Sequence, residues 1–152
     1  MAEALAAVGI VASIVQLVDF GTKLLRRLDE FHSNLDDIPT SFQHIKSQLP
    51  LLLENLKSTQ QDVDAGIIKP ETERALQPTI NGCRTQIGSL NSILDKELPS
   101  PYDSRANKTK KAISSIFRDK RIEKITSTLG SYIQTLTFYH TAVRSTLNPL
   151  KG

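Results

Sequence analysis

The sequence predicts an all-α fold, an antiparallel four-helix bundle, and three observations carry that prediction. Four long stretches place apolar residues at alternating steps of three and four, the period of one helix face. No stretch alternates apolar and polar residues in the manner of a half-buried strand. The apolar residues are mostly Leu, Ile, Val and Ala, with aromatics at 5% and no Trp, a composition suited to packed helices. A chain of 152 residues reads as one domain, 1–152, long enough to bury a substantial core. Hydrophobic content of 39% and charged content of 23% exclude a disordered chain and a polytopic membrane protein.

The first helix is expected from about Ala2 to about His32, and its character changes along its length. Residues 4–18 read ALAAVGIVASIVQLV, an uncharged run of 15 residues between Glu3 and Asp19. A spanning helix wants about 20 apolar residues, and a signal peptide wants Lys or Arg ahead of the run, so neither is predicted. A helix apolar nearly all round must be covered on every side. After Val18 the pattern becomes amphipathic, with Leu17, Phe20, Leu24, Leu28, Phe31 and Leu35 on one stripe.

Thr40 and Gln43 have capping-box spacing and predict the start of the second helix. Its stripe is Ile38, Phe42, Ile45, Leu49, Leu52 and Leu56, with a kink expected at Pro50 and an end in the polar stretch 58–66. Pro70 suits the first position of the third helix, and Glu71 and Glu73 suit its first turn. The third stripe is Leu76, Ile80, Cys83, Ile87, Leu90 and Leu94, with a bend expected at Pro78. Leu98-Pro99-Ser100-Pro101 is the clearest break in the chain.

The last region carries a short apolar face, Ile113, Ile116 and Phe117, among lysines. The phase shifts at Arg118-Asp119, and Ile122, Ile125, Leu129, Tyr132, Leu136, Tyr139 and Val143 follow on a new stripe. This predicts an extra short basic helix before the last long helix, either separate from it or continuous through a kink.

Residues that could carry catalysis are sparse. His32, His44 and His140 share no zinc-ligand spacing, and Cys83 has no cysteine partner. His44 and His140 read as surface or boundary residues, Cys83 as a buried small hydrophobe, and the carboxylates as solvent-facing. Neither a phosphate-binding glycine loop nor a serine nucleophile elbow is present. The sequence therefore predicts a non-enzyme with no cofactor and no metal.

Charge is unevenly placed. Residues 103–124 hold eight basic and three acidic side chains, a local charge of +5 that leaves −2 on the rest. Such a segment can hold an anionic surface or simply be a solvated helix face. Aromatics for base stacking are few there, so no nucleic-acid partner is expected.

The opening MAEALAAVGIVASIVQLVDFGTKLL and the later FRDKRIEKITSTLGSYIQTLTFY resemble the N-terminal effector domains of fungal STAND-type immune receptors. These are the SesA and HeLo-like groups, found on receptors with a NACHT or other P-loop NTPase module. The resemblance covers nearly the whole chain. It implies a HeLo-like helical bundle that induces cell death or signals in heterokaryon-incompatibility-like immunity. It implies self-association, an upstream receptor or NTPase module in cis or trans, and relocation from the cytoplasm to the plasma membrane. In that family setting the N-terminal helix attacks the membrane once oligomerisation frees it.

Carried onto this chain, the inserting helix would present Leu5, Val8, Gly9, Ile10, Val11, Ile14, Val15, Leu17 and Val18, with Gly9 allowing close helix packing. Lys108, Lys110, Lys111, Arg118, Lys120 and Arg121 would contact anionic membrane lipids, each basic residue adding about 1 kcal/mol near such a surface. The alternative is a homotypic adaptor domain without membrane activity, in which the first helix is ordinary core.

Overall fold

The computed structural model describes residues 2–32, 38–97 and 106–147, and side chains over 9–32, 38–97 and 111–143. Five helices form: α1 (Ala2–His32), α2 (Thr40–Asp64), α3 (Pro70–Glu97), α4 (Ala106–Ile116) and α5 (Lys120–Leu147). No strand occurs among the described residues. The all-α bundle is as the sequence predicts, and the short basic helix is separate, with residues 117–119 forming a turn between α4 and α5.

Cross-helix contacts fix the arrangement. α1 packs on α2 and α3, and α5 packs on the same two helices from the other side. Lys46 pairs with Asp29 at 3.1 Å, so α1 and α2 run antiparallel, as their sequence order requires. Arg27 pairs with Asp95 at 2.6 Å and Arg84 bonds Gln16, so α1 and α3 are parallel neighbours. Gln48 reaches the Thr126 carbonyl at 3.2 Å and Asn55 reaches Thr137 at 3.2 Å, so α2 and α5 are parallel too. Consecutive long helices alternate in direction, yet two of the four packed pairs are parallel.

Each stripe closes on a common core. Phe42, Ile45, Leu49, Leu52 and Leu56 of α2 are fully buried, as are Cys83, Ile87, Leu90 and Leu94 of α3. The α1 stripe differs from the expected one: the buried positions are Ile10, Ile14, Leu17, Gly21, Leu24 and Leu28, with Phe20 and Phe31 on its flank. Gly21 falls in that stripe because Leu53 fills the space a β-carbon would occupy, at 2.8 Å, with Ile87 just beyond at 3.9 Å.

One local expectation is corrected. Thr40 is not a cap: Pro39 holds the N-cap position without a side-chain bond, and Gln43 donates its N–H to the Pro39 carbonyl at 3.2 Å. α2 ends within the polar stretch 58–66, as expected, with Thr59 and Val63 carrying the buried face to Asp64. The end comes at Gly66, whose φ of 71° is the left-handed conformation glycine adopts without penalty. There Ile67 N–H bonds the Asp62 carbonyl and Gly66 N–H bonds the Val63 carbonyl, both at 3.0 Å, a Schellman closure. Pro50 and Pro78 are both exposed and lie inside continuous helices.

Candidate functional site

The two features singled out in the sequence are the apolar start of α1 and the basic turn before α5. They occupy opposite ends of the bundle. The start of α1 lies beside the start of α3, where Gly9, Ser13, Glu73 and Gln77 line one cavity. The basic turn lies beside the end of α3, where Arg121 pairs with Glu97.

The first helix is not wrapped on every side. Ile10, Ile14 and Leu17 are at most 1% exposed, and Val11 and Val18 pack half-buried against the core. Gly9, Ala12 and Gln16 face solvent, and Val15 is 48% exposed. The run is therefore core along one face and open along the other. The side chains of Leu5 and Val8 lie outside the described residues. No helix among the described residues is long and apolar enough to cross a membrane.

Gly9 does not serve close packing in this fold. A β-carbon there meets nothing within 4 Å. Close approach occurs instead at Gly21, and at Gly82 of α3, where the Tyr132 ring of α5 covers the glycine.

Burial gives the cost of freeing α1. A fully buried Ile or Leu contributes about 1.5–3 kcal/mol, so Ile10, Ile14 and Leu17 together contribute about 5–9 kcal/mol. Whole domains are stable by only about 5–15 kcal/mol. Pulling out the first half of α1 without reburying it would consume most of the stability of the fold.

The basic turn is built around Asp119. Its carboxylate accepts the Arg121 backbone N–H at 2.8 Å and the Arg121 Nε–H at 3.1 Å, capping α5. These bonds to Arg121 hold the Asp119 carboxyl below the usual carboxylate range, and the same contacts, with Glu97, raise the guanidinium further above its ordinary value. Arg121 is thus occupied by two carboxylates. Phe117 anchors the turn edge-on to Phe42, with ring centroids 4.8 Å apart. Lys111, Arg118 and Lys120 are exposed around it, and the side chains of Lys108 and Lys110 lie outside the described residues.

His140, expected at the surface or at the boundary of the core, is buried to 8% exposure between α5 and α2. Its Nε2 lies 3.0 Å from the Asn55 carbonyl and 3.1 Å from the Thr59 hydroxyl, and its Nδ1 lies 3.5 Å from Asp62. Helical periodicity cannot reveal such a site, because the partners come from another helix. Glu73, also expected in solvent, is only 7% exposed. Cys83 is buried as expected, and burial pushes its thiol up to about 12. No group of His, Cys, Asp and Glu among the described residues could hold a metal ion.

The geometry thus gives a closed core, an uncharged stretch of α1 at one end, a basic turn at the other and no gathered set of reactive groups among the described residues. The family model for SesA, the N-terminal domain on NACHT NTPases and P-loop NTPases, matches residues 11–136. The chain belongs to the SesA family. The match takes in most of α1, all of α2, α3 and α4, and α5 through Leu136. SesA domains are attached to NTPases, so a NACHT or P-loop NTPase module is the expected neighbour of this bundle. No curated protein and no solved structure matches the chain significantly.

Proposed function

We propose that this SesA domain is the signalling domain of a NACHT or P-loop NTPase receptor and works as a closed bundle through contacts between clustered copies. The burial of Ile10, Ile14 and Leu17 carries this reading, because it makes α1 part of the resting core. The NTPase module would gather the copies, and the bundle surface would pass the signal on. This is the adaptor role, and it asks nothing of lipid.

A second reading is favoured by a separate observation. The sequence of α1 is uncharged from residue 4 to 18 and the helix exposes Val15, while Lys111, Arg118 and Lys120 stand exposed at the far end. In this reading clustered domains dock on anionic lipid at the plasma membrane. They rebury α1 in the bilayer and permeabilise it, with cell death as the outcome. Small residues Ala7, Gly9, Ala12 and Ser13 would then pack inserted helices together.

Dye release separates the two. The chain is fused to an inducible oligomeriser and added to anionic and neutral vesicles. The adaptor reading expects no release from folded, clustered protein. Release that requires both clustering and anionic lipid would replace it with the membrane reading, and Ile14→Asp should then abolish release.

A further inference from the structure

The outer face of α5 carries no charge. Residues 125–143 hold no Asp, Glu, Lys or Arg, a run of about 28 Å between Lys124 and Arg144. Ser127, Ser131, Gln134, Phe138 and Thr141 recur at steps of four, three, four and three, and all are exposed. Phe138 is 72% exposed. The hydroxyls of Ser131, Thr135, Thr137 and Thr141 donate to carbonyls one turn back in α5, at 2.8–3.4 Å. Those donors are already satisfied, so the face loses little hydrogen bonding when water leaves it. The exposed sides of α2 and α3 differ, carrying Glu54, Lys57, Arg74 and Arg84.

A second uncharged face lies across the bundle. α1 holds no charge from residue 4 to 18 and exposes Gly9, Ala12, Val15 and Gln16. α1 and α5 pack on α2 and α3 from opposite sides. α3 sets their heights. Tyr132 covers Gly82 and Arg121 pairs with Glu97, so α5 runs antiparallel to α3. Both helices rise equally per residue, so Phe138, six residues past Tyr132, stands near the level of Leu76 to Pro78. Gln77 lines one cavity with Gly9 and Ser13 of α1. Phe138 and this turn of α1 are therefore level with each other on opposite sides of the bundle.

Charge and shape select the occupant. A charged partner would lose hydration against either face and find no counter-charge there. Each face is the uncharged counterpart that the other requires. Copies set side by side, without a shift along the bundle axis, bring α5 of one against α1 of the next. The Phe138 ring then meets Gly9, where a β-carbon has nothing within 4 Å, and the small Ala12.

We propose that the outer face of α5 docks on the outer face of α1 in a second copy, with Phe138 seated over Gly9 and Ala12. A contact between two different faces propagates into rings or filaments. This rests on the clustered-copy reading above and names its surfaces. Sedimentation velocity of the 152-residue chain tests it, with melting curves confirming that each variant is folded. Growth beyond a dimer with rising concentration is expected for the parent chain. Salt should not weaken it, because no charges meet. Phe138→Asp and Ala12→Asp should each weaken association about tenfold or more. Ser131→Asp and Val15→Asp repeat the test at a second position on each face.

Mixing Phe138→Asp with Ala12→Asp decides the geometry. One variant retains the α1 face and the other the α5 face, so the mixture should form one-to-one dimers and stop there. Ala12→Asp pairing with itself as tightly as the parent associates would mean a two-fold α5 contact and would overturn the proposal. So would Phe138→Asp assembling like the parent, or a folded mixture that remains monomeric. A parent chain that stays monomeric up to its solubility limit would overturn it too. If that monomer also floats with phosphatidylcholine vesicles, and Phe138→Asp does not, the face belongs to lipid. A monomeric parent whose clustered fusion releases no dye removes this contact and leaves the adaptor reading intact, whereas dye release removes that reading itself.

Discussion

Tyr132 of α5 lies across Gly82 of α3, with its ring and hydroxyl in the space a β-carbon would take. Gly82→Ala gains helix propensity, about 0.5–1 kcal/mol, but must displace a half-buried ring. Overpacking of this kind costs about 1–3 kcal/mol, so the variant should be destabilised overall. Tyr132→Leu in the same chain should recover part of the loss. Urea unfolding of the single and double variants measures both effects.

Gly9 and Gly21 share one helix and should respond oppositely to the same substitution. Gly9→Ala meets nothing within 4 Å and should be neutral or stabilising by up to about 1 kcal/mol. Gly21→Ala drives a β-carbon into Leu53 at 2.8 Å and should destabilise by about 1–3 kcal/mol. Thermal melts distinguish them. The comparison also locates close packing in the middle of α1, away from its start.

His140 ties α5 to α2 through Asn55, Thr59 and Asp62. His140→Ala removes a buried side chain and its bonds to the Asn55 carbonyl and Thr59, and should cost about 1–3 kcal/mol. Amide exchange should speed up along the second half of α5 before the rest of the bundle.

Asp119 gives the α4–α5 turn a dependence on acid. Bonds from Arg121 lower its carboxyl from the ordinary 3.8, so the folded turn favours the charged form. That contribution is fully present above the unfolded value. It is lost as pH falls through the lowered folded one, a window below about 4. NMR shifts of Arg121 and Ile122 should move in that window, and Asp119→Asn should abolish the movement.

Helix type was legible throughout because every stripe repeats at three and four, and Pro70 marked the start of α3 as it should. Cys83 was legible as core for the same reason. The end of α2 fell inside the expected stretch, but its buried face runs past Leu56 because Thr59 is polar by composition and inward by position, its hydroxyl satisfied by the Asn55 carbonyl at 2.8 Å. Its step of three from Leu56, followed by four to Val63, was the available signal. Gly21 was invisible, since a glycine in a buried stripe carries no hydrophobic mark. The buried sites of His140 and Glu73 depend on which helices become neighbours. The parallel pairing of α1 with α3 and of α2 with α5 has no local signature in the chain.

The central claim is that α1 remains in the bundle when copies are clustered. Gln16 and Arg84 are hydrogen-bonded across α1 and α3, so Gln16→Cys with Arg84→Cys places two thiols for a short bifunctional crosslinker. Cys83, buried and with its thiol pushed up to about 12, should not compete. The measurement is the crosslink yield in the resting chain and in the induced cluster on anionic vesicles. Equal yields are predicted. A yield that falls on clustering, from protein that crosslinks fully at rest, would mean that α1 leaves α3 and would contradict the account.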